Sequence, residues 1–282
     1  MTRIMVCGSR QEADIELLAM AGVDAIGLIT EVSQPLPCNL SREQARQLSA
    51  LVPPLMSSVL ILTEERIEEV CRLVDYVRPS AVQLHGFNGP EEVAVLKQRL
   101  PVKIIKTLHL QGEQLLDGNR QNLRHDDHKH SDHKHSDHKH NDHKHNAPQH
   151  NDHKYKIRSS CTSNVGKQPD EGSFQLDNAL KNLIAAYLAA GADAILLDSA
   201  QKNKVGSTGQ VADFAIARQI RDAVWPRPFI LAGGLQAKNV ADALQKARPY
   251  GVDVFSGVNR EGYLDPQKVR EFVEAVRRWR DS

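Results

Sequence analysis

The sequence predicts a single (β/α)8 barrel, and three observations carry that expectation. Eight short apolar or β-branched runs are separated by stretches of helical periodicity. Each run is nearly continuous rather than alternating, as strands covered on both faces should be. No GxGxxG follows the first run, where an open doubly wound sheet commonly carries one; Cys7-Gly8-Ser9 stands there instead.

In chain order, strands are expected at Arg3–Val6, Ala25–Ile29, Ser57–Leu62, Ala81–Leu84, Lys103–Lys106, Ala194–Leu197, Phe229–Ala232 and Val252–Phe255. Among the helices, Glu91–Leu100 sets Val93, Val95, Leu96 and Leu100 on one side. Asn178–Ala190 carries Leu180, Leu183, Ile184, Tyr187 and Leu188 at helical spacing. Ser41 followed by Gln44 reads as a capping box, and Asp265-Pro266 as an N-cap with Pro at the first helical position. The last helix is expected over Pro266–Arg280.

The chain has 282 residues, with 36 Lys+Arg against 35 Asp+Glu, a balance that argues against a generic polyanion binder. No basic stripe with interleaved aromatics points to nucleic acid. A hydrophobic share of 40% is enough for a sizeable core. No run approaches ~20 apolar residues, so no membrane span is expected. The start, MTRIMVCGSR, lacks a signal-peptide pattern, and a cytoplasmic location is the expectation. Cys7, Cys38, Cys71 and Cys161 form no CxxC and are expected as free thiols.

One segment departs from this pattern. Of the 13 His, 11 lie between His125 and His153. From Gln111 to about Gly172 apolar periodicity is absent, and the centre, DHKHSDHKHSDHKHNDHKH, is a five-residue repeat from Asp127 to His145. The expectation is one domain over residues 1–282, interrupted at about 111–172 by a disordered low-complexity loop after the fifth strand. Removing it leaves about 220 residues, the size of a small barrel. The pairs His128/His130, His133/His135, His138/His140 and His143/His145 each have an Asp beside them. Neutral imidazole suits Zn2+ or Ni2+, here as several loosely held ions rather than one caged site. The alternative is a solvated, charge-balanced loop.

A barrel carries its chemistry at the carboxyl ends of its strands. After the fourth strand stand Gln83 and His85, expected to line the substrate pocket; after the sixth, Asp198 and then Gly206, Ser207 and Gly209. Gly233 and Gly234 follow the seventh strand, and Ser256 and Gly257 the eighth. Glycine turns let backbone N–H groups approach an anion, and barrels commonly hold phosphate after strands seven and eight. The same glycines also serve turns that need their conformation alone.

The segments MVCG, VQLHG, ILLDS, GSTG, FILAGGL, RPYGVDVFSGV and DPQKVREFVEAVR together resemble the phosphoribosylanthranilate isomerase family of tryptophan biosynthesis. The resemblance covers essentially the whole chain outside the His tract. It implies a (β/α)8 barrel, a monomer or homodimer, that needs no metal or organic cofactor. It also implies an aldose–ketose isomerase that performs an Amadori rearrangement of N-(5'-phosphoribosyl)anthranilate to the 1-deoxyribulose 5-phosphate product. The family's base maps onto Cys7 and its acid onto Asp198. A thiol acts as base near neutrality only if its pKa falls from ~8.5, and a carboxyl as acid only if its pKa rises.

Several charged positions of the family pattern are replaced. Met5 stands where a Lys is usual, and Cys38 where an Arg contacts the anthranilate carboxylate. Phe87 replaces an Asp, Leu264 a Lys and Asn259 a Glu. Arg10 and Arg3 are the candidates to stand in for the missing Arg. The alternatives are a divergent paralogue acting on another phosphosugar amine, or a metal-binding barrel without isomerase activity.

Overall fold

A computed structural model describes residues 1–32, 36–111, 114–117, 176, 178–199 and 213–279. Eight parallel strands close into a barrel: β1 (Arg3–Cys7), β2 (Ala25–Ile29), β3 (Ser57–Leu62), β4 (Ala81–Leu84), β5 (Lys103–Gln111), β7 (Ala194–Ser199), β8 (Phe229–Leu231) and β9 (Gly251–Val254). The circuit closes through β4–β5 and β9–β1, where Met5 lies opposite Asp253. The antiparallel strand β6 (Gln114–Leu115) folds back on β5. A small hairpin, β10 (Asn259–Arg260) with β11 (Tyr263–Leu264), follows β9.

Alternate strand residues feed two apolar layers, which is why the strands read as continuous apolar runs. Met5, Val59, Ile61, Ala81, Ile105, Ala194 and Leu196 fill the barrel interior. Ile4, Val6, Leu28, Leu60, Val82, Ile104 and Leu197 face outward against the helices. These helices are α1 (Glu12–Met20), α2 (Arg42–Leu51), α3 (Ile67–Val77), α4 (Pro90–Arg99), α5 (Asn178–Ala189), α6 (Phe214–Val224), α7 (Val240–Ala247) and α8 (Pro266–Arg278).

The expected caps are present. Ser41 Oγ accepts from the Gln44 N–H at 3.3 Å, and Gln44 Oε1 accepts from the Ser41 N–H at 3.0 Å. Asp265 Oδ1 accepts from the N–H groups of Gln267 and Lys268, ahead of Pro266. Val95 is a correction: it is exposed, because Val93 and Leu96 define the buried face of α4 and a residue two places from Val93 points away from it.

The fifth strand is also corrected. It was expected to stop at Lys106 but runs to Gln111, with Thr107, Leu108 and His109 paired to Leu196, Leu197 and Asp198 of β7. Its extension alternates: Leu108 and Leu110 join the outer layer, while the polar Thr107 and His109 take the inward positions. That alternation does not fit a continuous apolar run. The break expected from Gln111 therefore begins too early, since Leu115 and Asp117 are buried parts of the fold. Cys7, Cys38 and Cys71 are free thiols. Cys161 and the His tract lie outside the described residues. Among the described residues no helix is long and apolar enough to cross a membrane.

Candidate active site

The carboxyl ends of the strands gather Cys7, Asp198, Gln83 and His85 in one cup. Cys7 is the last residue of β1, and its sulfur fits there because Gly27 on β2 has no side chain. A Cβ on Gly27 would come within 2.4 Å of Cys7 Sγ. Across the interior, the Cys7 thiol donates to Asp253 Oδ1 at 2.8 Å. Both residues are buried.

The chemistry of this pair differs from the expected acidified thiol. Burial first, and then the Asp253 carboxylate, hold the Cys7 thiol well above its ordinary pKa. Asp253 itself is pushed up to about 7, because burial opposes its charge more than the hydrogen bonds from Cys7 and the Val254 N–H favour it. Met5, opposite in register, brings no cation to it. The Cys7 thiol therefore keeps its proton at neutral pH and donates it in a hydrogen bond to a carboxyl that itself titrates near 7.

Asp198, on β7, is buried and lies near enough across the cup to act electrostatically on Cys7. His85 Nε2 stands 3.7 Å from Asp198 Oδ2, too far for a hydrogen bond. Burial, and then the neighbouring His109 and Lys106, lower His85 to about 3, so its ring is neutral. His85 meets His109 edge to face with ring centroids 4.9 Å apart. Gln83 Nε2 lies 3.3 Å from His85 Nδ1.

Beneath this wall is a cluster that sequence reasoning missed. Lys106 Nζ, fully buried, donates to the carbonyls of Gly86 and Thr107 and to Asp117 Oδ1 at 2.9, 2.6 and 3.0 Å. It also sits 5.4 Å from the Tyr187 ring centroid. Asp117 accepts from the His109 N–H at 2.5 Å and faces His109 Nδ1 at 3.2 Å. Burial would raise the Asp117 carboxyl, but Lys106 and His109 hold it well below the usual carboxylate range. Gln83 Oε1, Thr107 Oγ1 and His109 Nε2 are buried without a hydrogen-bond partner, so the β4–β5 wall offers polar atoms to a ligand.

On the other side, Gly233 and Gly234 have φ of 86° and 64°, so their turn needs glycine for its conformation. A Cβ on Gly257 would lie 2.0 Å from the Leu235 carbonyl oxygen; the loops after β8 and β9 pack backbone to backbone. Ser256, beside it, is exposed. Gly206, Ser207 and Gly209 lie outside the described residues, as do His128, His130, His133, His135, His138, His140, His143 and His145. Among the described residues no group of three or more His, Cys, Asp or Glu is placed to hold a metal ion.

The missed residues had signals. Asp253 interrupts the apolar run GVDVF on an inward position, and Lys106 interrupts KIIKTLHL. His85 and His109 are the two His outside the tract, and they meet in the cup.

A family profile described as N-(5'phosphoribosyl)anthranilate (PRA) isomerase matches residues 4–131 and 167–275. An N-(5'-phosphoribosyl)anthranilate isomerase of Methanocella arvoryzae is 32% identical over 279 residues, covering 98% of this chain and 99% of the relative. The crystal structure of phosphoribosyl anthranilate isomerase from Thermus thermophilus superimposes with a TM-score of 0.65 at 21% identity, covering 99% of this chain and all of that one. A further isomerase structure, in complex with reduced 1-(o-carboxyphenylamino)-1-deoxyribulose 5-phosphate, gives a TM-score of 0.61 at 22% identity, covering 98% and 99%. At these identities the structures show the fold.

Proposed function

Because the chain belongs to the N-(5'-phosphoribosyl)anthranilate isomerase family, we propose that Cys7 and Asp198 carry out this isomerisation, a step of tryptophan biosynthesis. The observation that carries this reading is the convergence of Cys7, Asp253 and Asp198 in one buried cup.

Asp198 protonates the ribose ring oxygen, the ring opens, and the C1' carbon becomes an iminium with the anthranilate nitrogen. Cys7 then removes the C2' proton and gives an aminoenol. Return of a proton to C1' and loss of one from the 2' hydroxyl leave the ketone product. The reaction is an internal rearrangement, so it transfers no electrons to or from the protein.

Cys7 does this as one half of the Cys7–Asp253 pair. With one proton on the pair, its residence on Asp253 leaves the thiolate, and taking the C2' proton then fills both sites. The doubly protonated pair is inactive, so turnover rises as pH increases through about 7, the value of Asp253. The turns at Gly233-Gly234 and Ser256-Gly257, with Gly206, Ser207 and Gly209, take the 5' phosphate, while Gln83 and His85 face the open-chain sugar. The His tract, on its repeat alone, would take Zn2+ or Ni2+ apart from the reaction.

Turnover of phosphoribosylanthranilate by purified protein tests the assignment. Cys7→Ser and Asp198→Asn should each lower kcat by about 10²- to 10⁴-fold. Full activity in either variant would remove that residue from the mechanism, and an inactive but folded wild type would remove the function.

A further inference from the structure

The substrate named by the family is anionic at both ends: a phosphate on the ribose, and a carboxylate on the aminobenzoate ring. A carboxylate taken into a closing cup needs a cationic donor, since burying it unpaired is costly. The position where an Arg would be expected to supply one holds Cys38, which is buried.

The cations around the cup are largely committed elsewhere. Lys106 is saturated by two carbonyls and Asp117. Arg260 is paired with Asp265, and Lys268 Nζ donates to the Asn259 carbonyl. Arg3 lies at the start of β1, ion-paired with Asp24 at 2.7 Å. β1 runs from Arg3 to Cys7, which at about 3.3 Å per residue puts Arg3 at the opposite end of the barrel from the cup.

Arg10 differs from all of these. It follows Cys7 in the β1–α1 loop, and among the described residues its guanidinium meets no carboxylate. Its carbon sits 4.3 Å over the Tyr263 ring, and Nη1 reaches the Gly262 carbonyl at a long 3.4 Å. Stacking occupies the face of the guanidinium plane and leaves its N–H edges, the part that grips a carboxylate with two parallel bonds. Gly262 packs against Pro37, the neighbour of Cys38, so the platform under Arg10 borders the vacated Arg position. The positive charge of Arg10 is felt at Cys38, and the charge state of Cys38 in turn at Cys7.

We propose that Arg10, stacked on Tyr263, binds the ring carboxylate of the substrate in place of the Arg that Cys38 replaces. This makes it a specificity-determining residue, and the assignment rests on the isomerase reading above. The cation has moved from the β2–α2 loop to the β1–α1 loop while serving the same anion.

Calorimetry with two probes tests it: reduced 1-(o-carboxyphenylamino)-1-deoxyribulose 5-phosphate, and the same compound without the ring carboxylate. Arg10→Gln should weaken the first by about 10- to 100-fold and leave the second within about twofold. Arg10→Lys, which keeps charge but not the fork, should fall between, and adding Cys38→Arg to Arg10→Gln should recover affinity for the first probe alone. Equal weakening of both probes would reduce Arg10 to a loop support and overturn the proposal, as would an unchanged affinity for the first. A folded wild type that binds neither probe would instead overturn the isomerase reading itself.

Discussion

Two of the carboxylates buried in this protein, Asp117 and Asp253, ionise in opposite senses. Asp117, under the β4–β5 wall, is held ionised by Lys106 and His109. Asp253, on the β9–β1 wall, has a thiol and a backbone N–H for partners and faces Met5, and it rises to about 7. Burial is nearly the same for both, at 1% and 8% exposure, so burial does not decide the charge. The partner does. A cation converts a buried carboxyl into a permanent structural anion, while its absence leaves a group that titrates in the range where a base must work.

Linkage gives the two sites opposite signs. Asp117, depressed in the folded state, contributes stability above the unfolded carboxyl pKa that is lost as pH falls through its folded value. Asp253, raised, contributes stability below its unfolded pKa that is lost as pH rises through about 7.

The comparison can be broken most forcefully at Lys106. Lys106→Met strands Asp117 as an unpaired buried anion and should lower unfolding free energy by about 3–5 kcal/mol in denaturant titrations. Lys106→Met with Asp117→Leu should regain most of that; no regain would mean that the lysine's packing, not the ion pair, matters. Next comes Asp253→Asn. Turnover at pH 7 should drop about 10- to 100-fold, and the limb near 7 in kcat/KM should move upward, because the buried thiol must then ionise alone. The same variant should flatten the stability loss between about pH 4 and 7; a pH profile identical to wild type would dissolve the Cys7–Asp253 pair. The smallest change is expected from Met5→Lys, which makes the second wall resemble the first. Its cation should lower the activity limb by about one pH unit, and a stationary limb would show that the register neighbour does not reach Asp253.

The sequence reading succeeded where its rule matched the physics. Strands clad on both faces produce continuous apolar runs, so the parallel barrel and the positions of Cys7 and Asp198 were legible. That rule treats a polar residue inside a run as noise, and Lys106 and Asp253 disappeared into it. His109 and Asp117 were lost differently: their partnership depends on β5 turning back through β6, and no periodicity reports so short a hairpin. Arg3 and Arg10 were equivalent as letters, and what separates them is that one begins β1 and the other lies past its end. The acid–base logic expected a thiol with a lowered pKa; burial and the Asp253 carboxylate hold Cys7 well above its ordinary value instead, and the group that moves into the neutral range is Asp253.

The clasp at Asp117 also bears on how this chain can vary over generations. Beyond it comes segment 118–175, and on the far side Leu176 is buried, with its N–H donated to Gln219 at 2.8 Å. Asp117 and Leu176, on either side of segment 118–175, are thus both tied to the barrel. The residues that make these two anchors lie outside the five-residue repeat of Asp127–His145, so a change in its number of units alters none of them.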